Sequence, residues 1–460
     1  MKFDTKLPSP IPRHAEFGST APACQARQDA ASRLDYLLTY GTSALTLLLT
    51  LIAFRLAHQR LGTAGFAEFA LMRRVTAFLV PLLSIGLVVA LGKCVARNAT
   101  VHGDSESKDF FTAAILIGVM TVALFGLGAS LFPVSLSFLC TGLANRSELV
   151  QAAIPLVAGS LLTVFGSAYF RGRMRFLASN ALQLVCLGII PLVVLLVSAD
   201  VETFLCWSGL LVCAVSGLVL LVTYLTIRAS ESRSPHAAAR SLLRCGLPRV
   251  PGDVAYYGLL AAPALVAAHF VGVRAGVDFA YALTWLTLLS QLAAPISGMQ
   301  LPEAARLIYS GKTALLRRRL QGQVGVMLPA TCMLVALLFV WSPHVIAFHL
   351  GAATAEQLTI VRLLLLAAIP LNVFISLRSV IDAGESGAVS PGICLVAFAG
   401  FYLMLNLLMG RVSAVLAVDS AFLAAICLLA ALAVVAVRRT LQRHGSEPLT
   451  MHAAVHGQAA

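Results

Sequence analysis

The sequence predicts an all-α integral membrane protein: about twelve transmembrane helices in two six-helix lobes, related as parallel repeats around a central cavity. Three observations carry this prediction: scarce charge, long apolar runs and a one-sided distribution of cations. Of the 460 residues, 59% are hydrophobic and only 12% charged, with a mean hydropathy of +0.89. A soluble domain carries about 25% charged residues, because its surface faces water. The apolar residues also come in runs rather than amphipathic stripes, as in helices dissolved in lipid.

A spanning helix needs about 20 mainly apolar residues. Runs of that kind fall at 34–56, 66–91, 110–133, 149–170, 175–198, 203–227, 251–271, 276–300, 323–350, 358–381, 390–410 and 412–437, here numbered spans 1 to 12. Residues 1–33 are polar, hold Pro8, Pro10 and Pro12, and precede any apolar run. They read as a disordered cytoplasmic tail and not a signal peptide. Residues 34–227 form the first lobe, 228–250 a basic cytoplasmic linker, 251–437 the second lobe and 438–460 a second cytoplasmic tail. An even number of spans per half makes the halves parallel repeats, related by an axis along the membrane normal. A faint echo agrees: Gly62, Phe69-Ala70, Pro81 and Gly86 recur in order as Gly272, Phe279-Ala280, Pro295 and Gly298.

The formal net charge is +13. The cations lie between apolar runs, so they report topology and not nucleic-acid binding. With the N-terminus inside, 25 of the 33 Lys and Arg fall in inside segments and five at outside ends. Arg73, Arg74 and Arg362 lie within helices. This bias is that of cytoplasmic loops and puts both termini in the cytoplasm. The ten cysteines form no Cys-x-x-Cys and mostly lie in apolar runs. They read as small apolar residues, with no disulfide or metal role.

No Walker loop, His-Glu-x-x-His or Gly-x-Ser-x-Gly is present, so nucleotide-driven pumping and the common hydrolase chemistries are not expected. The expectation is a protein without cofactor or metal, and not an enzyme. Ionisable residues inside the membrane are the informative ones, since each is costly there and normally faces protein or water. Arg73 and Arg74 lie seven and eight residues into span 2. They point about 100° apart, so one is expected to face the cavity while the other snorkels. Arg73, on a face with Thr76 and Ser84, is favoured. The competing reading has both snorkelling or pairing with Glu68.

Span 1 carries a hydroxyl stripe, Tyr36, Thr39, Tyr40, Ser43, Thr46 and Thr50, expected at a helix–helix contact; a water-filled path is the other reading. Span 7 opens with Arg249, Pro251, Asp253, Tyr256 and Tyr257. Asp253 suits a helix N-terminus, or joins Arg249 and the tyrosines in a polar entrance at the cytoplasmic face. In span 8, Asp278, Tyr281 and Trp285 share one side, with Thr284 and Gln291 alongside. A midplane Trp is either packed interior or a platform for a sugar ring. Arg378 and Asp382 read as a structural i,i+4 pair. Arg362 and Glu385 are further candidates. Asp278 and Asp419 are the carboxylates placed for possible ion coupling, although neither is expected to be indispensable.

The stretch Gly246-Leu247-Pro248-Arg249-Val250-Pro251-Gly252-Asp253, then Gly272, Phe279-Ala280-Tyr281-Ala282, Pro302-Glu303 and Ala305-Arg306, resembles the start of the second half in bacterial oligosaccharide flippases. Tyr40-Gly41, Gly62, Phe66, Phe69-Ala70, Arg73-Arg74 and Pro81 are similar to that family's first two helices. The family belongs to the superfamily of multidrug, oligosaccharidyl-lipid and polysaccharide exporters. The resemblance implies two lobes rocking about a cavity lined by spans 1, 2, 7 and 8. It implies movement of a polyprenyl-diphosphate-linked oligosaccharide from the cytoplasmic to the periplasmic leaflet of the bacterial inner membrane, for O-antigen, capsule or exopolysaccharide. It implies a polysaccharide polymerase and export machinery as partners beside the lipid bilayer. The basic helix residues would meet the diphosphate. The alternative is an ion-coupled multidrug or cation antiporter of the same superfamily, for which an acidic cavity is expected. A membrane polysaccharide polymerase or glycosyltransferase is less favoured, because the outside loop 134–148 holds only Arg146 and Glu148 as charges.

Overall fold

In the computed structural model the described residues are 22–101, 105–141, 146–226, 235–294, 297, 300, 304, 307–308, 312–384 and 389–446. The helices, in chain order, are α1 Pro22–Leu83, α2 Leu87–Val101, α3 Ser105–Leu131, α4 Pro133–Thr141 and α5 Ser147–Gly172. Then come α6 Phe176–Leu184, a π-helical turn Val185–Ile189, α7 Ile190–Val197, α8 Val201–Thr226 and α9 Pro235–Gly246. The rest are α10 Val250–Phe270, α11 Val273–Ser290, α12 Thr313–Leu350, α13 Ala355–Gly384, α14 Val389–Leu408 and α15 Ala414–Ser446.

Ten stretches among the described residues are long and apolar enough to cross a membrane. One of them, Leu38–Leu83, holds two spans, and α11 adds another, which gives the twelve expected. The chain reverses within α1 at Gly62, whose φ of 68° and ψ of −175° leave the helical region. Thr50 meets Arg73, Phe54 meets Phe69 and His58 meets Phe66, all symmetric about that bend. The turn between spans 7 and 8 repeats this at Gly272, φ 135°. Both backbones favour glycine, the one residue without a Cβ to clash. The Gly62–Gly272 echo in the sequence is thus a repeated hairpin turn.

Several elements differ from the sequence expectation; α4, for instance, is helical where a loop was expected. The first helix starts at Pro22, twelve residues before span 1. Residues 22–33 are rich in Ala, Arg and Gln, good helix formers, with a proline only at the start. Span 2 breaks at Ser84–Gly86, where Ile85 (φ 48°) and Gly86 (φ 67°) leave the helical region. The linker contains α9, whose Ala238 and Leu242 are buried against α2 and α3. Arg233, Pro302-Glu303, Ala305-Arg306 and Glu385 lie outside the described residues, as does the side chain of Tyr36.

Spans 1 to 6 pack chiefly among themselves, as do spans 7 to 12, and the groups meet mainly where α1 touches α10, α11 and α12. Phe69, Phe111 and Phe165 are fully buried in the first group; Phe279, Phe374 and Phe422 are in the second. Large apolar side chains such as Leu124, Leu218 and Met333 are exposed. On a surface in water such a coat is prohibitive; in hydrocarbon it is the solvent-matched face. The chain is a multi-pass membrane protein.

Candidate functional site

A cavity of about 300 Å³ lies where spans 1, 2, 5 and 8 converge. Span 1 contributes Thr42, Ser43, Thr46 and Thr50; span 5 contributes Asn180 and Gln183; span 8 contributes Thr284, Thr287 and Gln291. Span 2 contributes both Arg73 and Arg74. Arg73 reaches span 1 and Arg74 reaches span 8, yet both line the cavity, so neither is lost to the lipid. Arg73 Nη2 donates to Thr50 Oγ1 of span 1 at 3.2 Å, and its guanidinium lies 5.3 Å from the Phe54 ring. Arg74 Nη2 reaches the carbonyl of Ala280 in span 8, a longer contact of 3.4 Å, and its Nε is buried without a partner among the described residues.

Neither guanidinium has a carboxylate partner among the described residues. Glu68, the partner in the competing sequence reading, pairs with Arg146 at 2.7 Å. The lining is therefore cationic, with hydroxyls and amides around it. Such a wall suits an anionic oxygen-rich group, because guanidinium hydrogen bonds to phosphate or carboxylate are charge-assisted.

The span 1 stripe divides between its two readings. Ser43, Thr46 and Thr50 face the cavity. Thr39 accepts from Asn180 Nδ2 at 3.0 Å, and the Tyr40 hydroxyl donates to the Leu292 carbonyl at 3.2 Å, both helix–helix contacts. Asn180 and Gln183 were missed by sequence reasoning. Their signal was an i,i+3 amide pair on an otherwise apolar run.

The remaining candidates lie elsewhere. Tyr281 and Trp285 are buried in an aromatic cluster with Phe54 and His349; Trp285 lies edge-on to His349 at 5.7 Å and outside the cavity lining. Asp278 accepts from Gln357 Nε2 at 2.9 Å. Arg362 donates to Ser342 Oγ at 3.1 Å. Asp419, in span 12, is 1% exposed, and neither of its carboxyl oxygens has a partner among the described residues.

Arg249 and Asp253 do not pair with each other. Arg249 Nη2 binds Asp382 Oδ2 and Arg378 Nη2 binds Asp253 Oδ1, each at 2.7 Å, which ties span 7 to span 10. The i,i+4 contact from Arg378 Nε to Asp382 is longer, 3.9 Å. The Tyr256 ring lies 5.1 Å from the Arg378 guanidinium. The Lys93 ammonium of α2 feels the charges of Arg249 and Asp382. This network borders a second cavity of about 310 Å³ with Tyr257, Ser297 and, from span 2, Ser84 and Gly86.

The architecture is thus a helical membrane bundle with a cationic polar cavity between two six-helix groups. No family model matches the chain, and no curated protein matches it. Solved structures do. The fold is similar to an outward-facing multidrug resistance MATE family transporter of the MOP superfamily, with a TM-score of 0.68, 14% identity, and 90% of this chain and 95% of that one covered. A eukaryotic MATE transporter aligns with a TM-score of 0.65 at 14% identity, over 90% of this chain and 98% of that one. A Vibrio cholerae MATE transporter in its bent form aligns with a TM-score of 0.62 at 16% identity, over 90% and 99%. The chain therefore has the fold of MATE transporters.

Proposed function

We propose that this chain is an alternating-access transporter of the MOP superfamily, a carrier and not an enzyme, whose cavity takes an amphiphile with an anionic head. The observation that carries the charge assignment is Arg73 and Arg74: two guanidiniums at membrane depth, on one cavity wall, with no carboxylate partner among the described residues. Leaving them so is costly in hydrocarbon unless an anion or water completes them. A polyprenyl-diphosphate-linked oligosaccharide has such a head, and the hydroxyls and amides around the arginines suit its sugars. On this reading the lipid-linked glycan moves between leaflets of a bacterial inner membrane, for surface polysaccharide assembly.

The second reading is an ion-coupled multidrug or cation antiporter. The likeness to solved multidrug transporters supports it better than it supports a glycan substrate. Asp419, a buried carboxyl with both oxygens unpartnered among the described residues, is the feature of this chain that fits it. The cavity charge argues the other way, since a cation meets two arginines there.

A binding contrast separates the two. Purified protein in nanodiscs is melted with inorganic diphosphate or with tetraphenylphosphonium. A ligand bound only to the folded state at about 100 Kd stabilises by about 2.7 kcal/mol. Diphosphate raises the melting temperature on the anionic reading, and Arg73→Ala with Arg74→Ala removes the shift. Stabilisation by the organic cation alone transfers the assignment to the antiporter.

A further inference from the structure

Arg73 stands on a wall between two cavities. The polar one is described above. The other, of about 300 Å³, lies within the first six spans and is lined by Phe69, Leu156, Ser160, Cys186, Pro191 and Leu205 among others. Arg73, Ala77 and Leu187 border both. We propose that the two cavities form one site for a lipid phosphate or diphosphate: the head against Arg73 and Arg74, and the head-proximal part of the hydrocarbon chain in the apolar cavity. This rests on the transporter reading above and deepens it by saying where the chain of the amphiphile goes.

Local structure builds the apolar half. Pro191 has no N–H to give the carbonyl of Leu187, four residues earlier, and its ring crowds that position. Span 5 widens there into the π-helical turn Val185–Ile189, a device often found at functional sites. The turn carries Cys186 and Leu187 to the cavity wall. Across from it, span 4 offers Ser160 and Leu156, and span 6 offers Phe204 and Leu205. A cavity so lined holds water poorly and takes apolar groups readily.

Charge and size fix the occupant. The arginine at the shared wall can lay its apolar stem along one cavity and its guanidinium in the other. A ligand filling both must be apolar at one end and anionic at the other. A hydrophobic cation satisfies the apolar half and is repelled by the polar half. A cavity of this size has room for roughly ten water-sized groups, so only the start of a long chain fits. The rest of the hydrocarbon chain lies outside this cavity.

Three probes and one plug test this in nanodiscs: inorganic diphosphate, geranyl diphosphate, geraniol and the cavity-filling variant Ser160→Phe. Burying the chain should make geranyl diphosphate bind at least about tenfold tighter than inorganic diphosphate, with geraniol weaker than either. Ser160→Phe should remove that advantage while inorganic diphosphate keeps its affinity. Should the variant fail to fold, a geranyl diphosphate analogue with a diazirine at the chain end answers in the wild-type protein, by labelling Leu156, Cys186 or Leu205. Equal affinities for the two diphosphates, or label confined to outward residues such as Val193 and Leu196, overturn the two-cavity site and leave the anionic head site standing. Binding of neither diphosphate removes both.

Discussion

Arg73 and Arg74 carry the substrate assignment, and their contacts set what each substitution should do. Hydrogen bonds to a charged partner contribute about 1.5–3 kcal/mol. Arg73→Ala should therefore weaken transport of an anionic amphiphile by roughly tenfold or more, and Arg73→Glu should abolish it. Arg73→Lys should restore part, because lysine supplies the charge without the bidentate geometry. Unimpaired transport by a folded Arg73→Glu protein would remove the residue from the mechanism. Asp419 makes the complementary case. A buried carboxyl with no cation beside it among the described residues gains little from being charged, so Asp419→Asn should melt no lower than the wild type and should still transport. Loss of transport in that folded variant would favour the ion-coupled antiporter.

At the scale of elements, the break in span 2 and the paired charges of spans 7 and 10 bear most directly on stability. A Cβ on Gly86 would sit 2.5 Å from the carbonyl oxygen of Gly246, on a backbone already at φ 67°. Gly86→Ala should cost about 1–3 kcal/mol, read as a lower melting temperature in detergent. Asp253→Asn leaves Arg378 without its closest carboxylate, and breaking a buried pair in this way costs about 3–5 kcal/mol. Replacing Asp253 and Arg378 together by Asn and Met should recover much of that loss, because no unpaired charge remains. A double variant as unstable as Asp253→Asn would show that the pair does not act as a unit.

The same elements show what the sequence made legible. Span number and the Gly62–Gly272 echo were readable, because length, hydropathy and residue order are local properties; that the echo marks a hairpin turn was not. The break at Ile85 was not, since a β-branched residue at positive φ is chosen by packing against Gly246 and by no local preference. In the cavity, a charge inside an apolar run pointed to Arg73 and Arg74. The share taken by Asn180 and Gln183 depended on which face of span 5 turns toward span 1. Partner choice was hidden for the same reason: Arg249 and Asp253 are close in sequence, yet each binds a residue of α13.

For the whole molecule, sidedness is the first consequence. On the cation bias, Arg318 and Arg443 are expected on the cytoplasmic side and Arg146 opposite. Single cysteines at these positions, in a background without other cysteines, should react with an impermeant maleimide from opposite faces. The same face for Arg146 and Arg318 would overturn the span count. The two six-helix groups touch at the end opposite the termini through the Arg55 guanidinium, 3.7 Å from the Phe348 ring, and through His269 Nε2, 2.8 Å from the Phe138 carbonyl oxygen. Alternating access requires these contacts to part. An oxidised Arg55→Cys, Phe348→Cys protein should therefore bind ligand and fail to transport it, with reduction restoring activity. Undiminished transport by the fully cross-linked protein would exclude separation at this point.

The most direct test of the central claim is transport itself. Protein reconstituted into liposomes is given a fluorescent lipid diphosphate, and its appearance in the opposite leaflet is followed by quenching with a membrane-impermeant reductant. Wild-type protein should equilibrate the lipid between leaflets, and a folded Arg73→Glu, Arg74→Glu protein should not. Equal transport by the two proteins, or transport of a cationic dye with none of the lipid diphosphate, would contradict the assignment of this cavity to an anionic amphiphile.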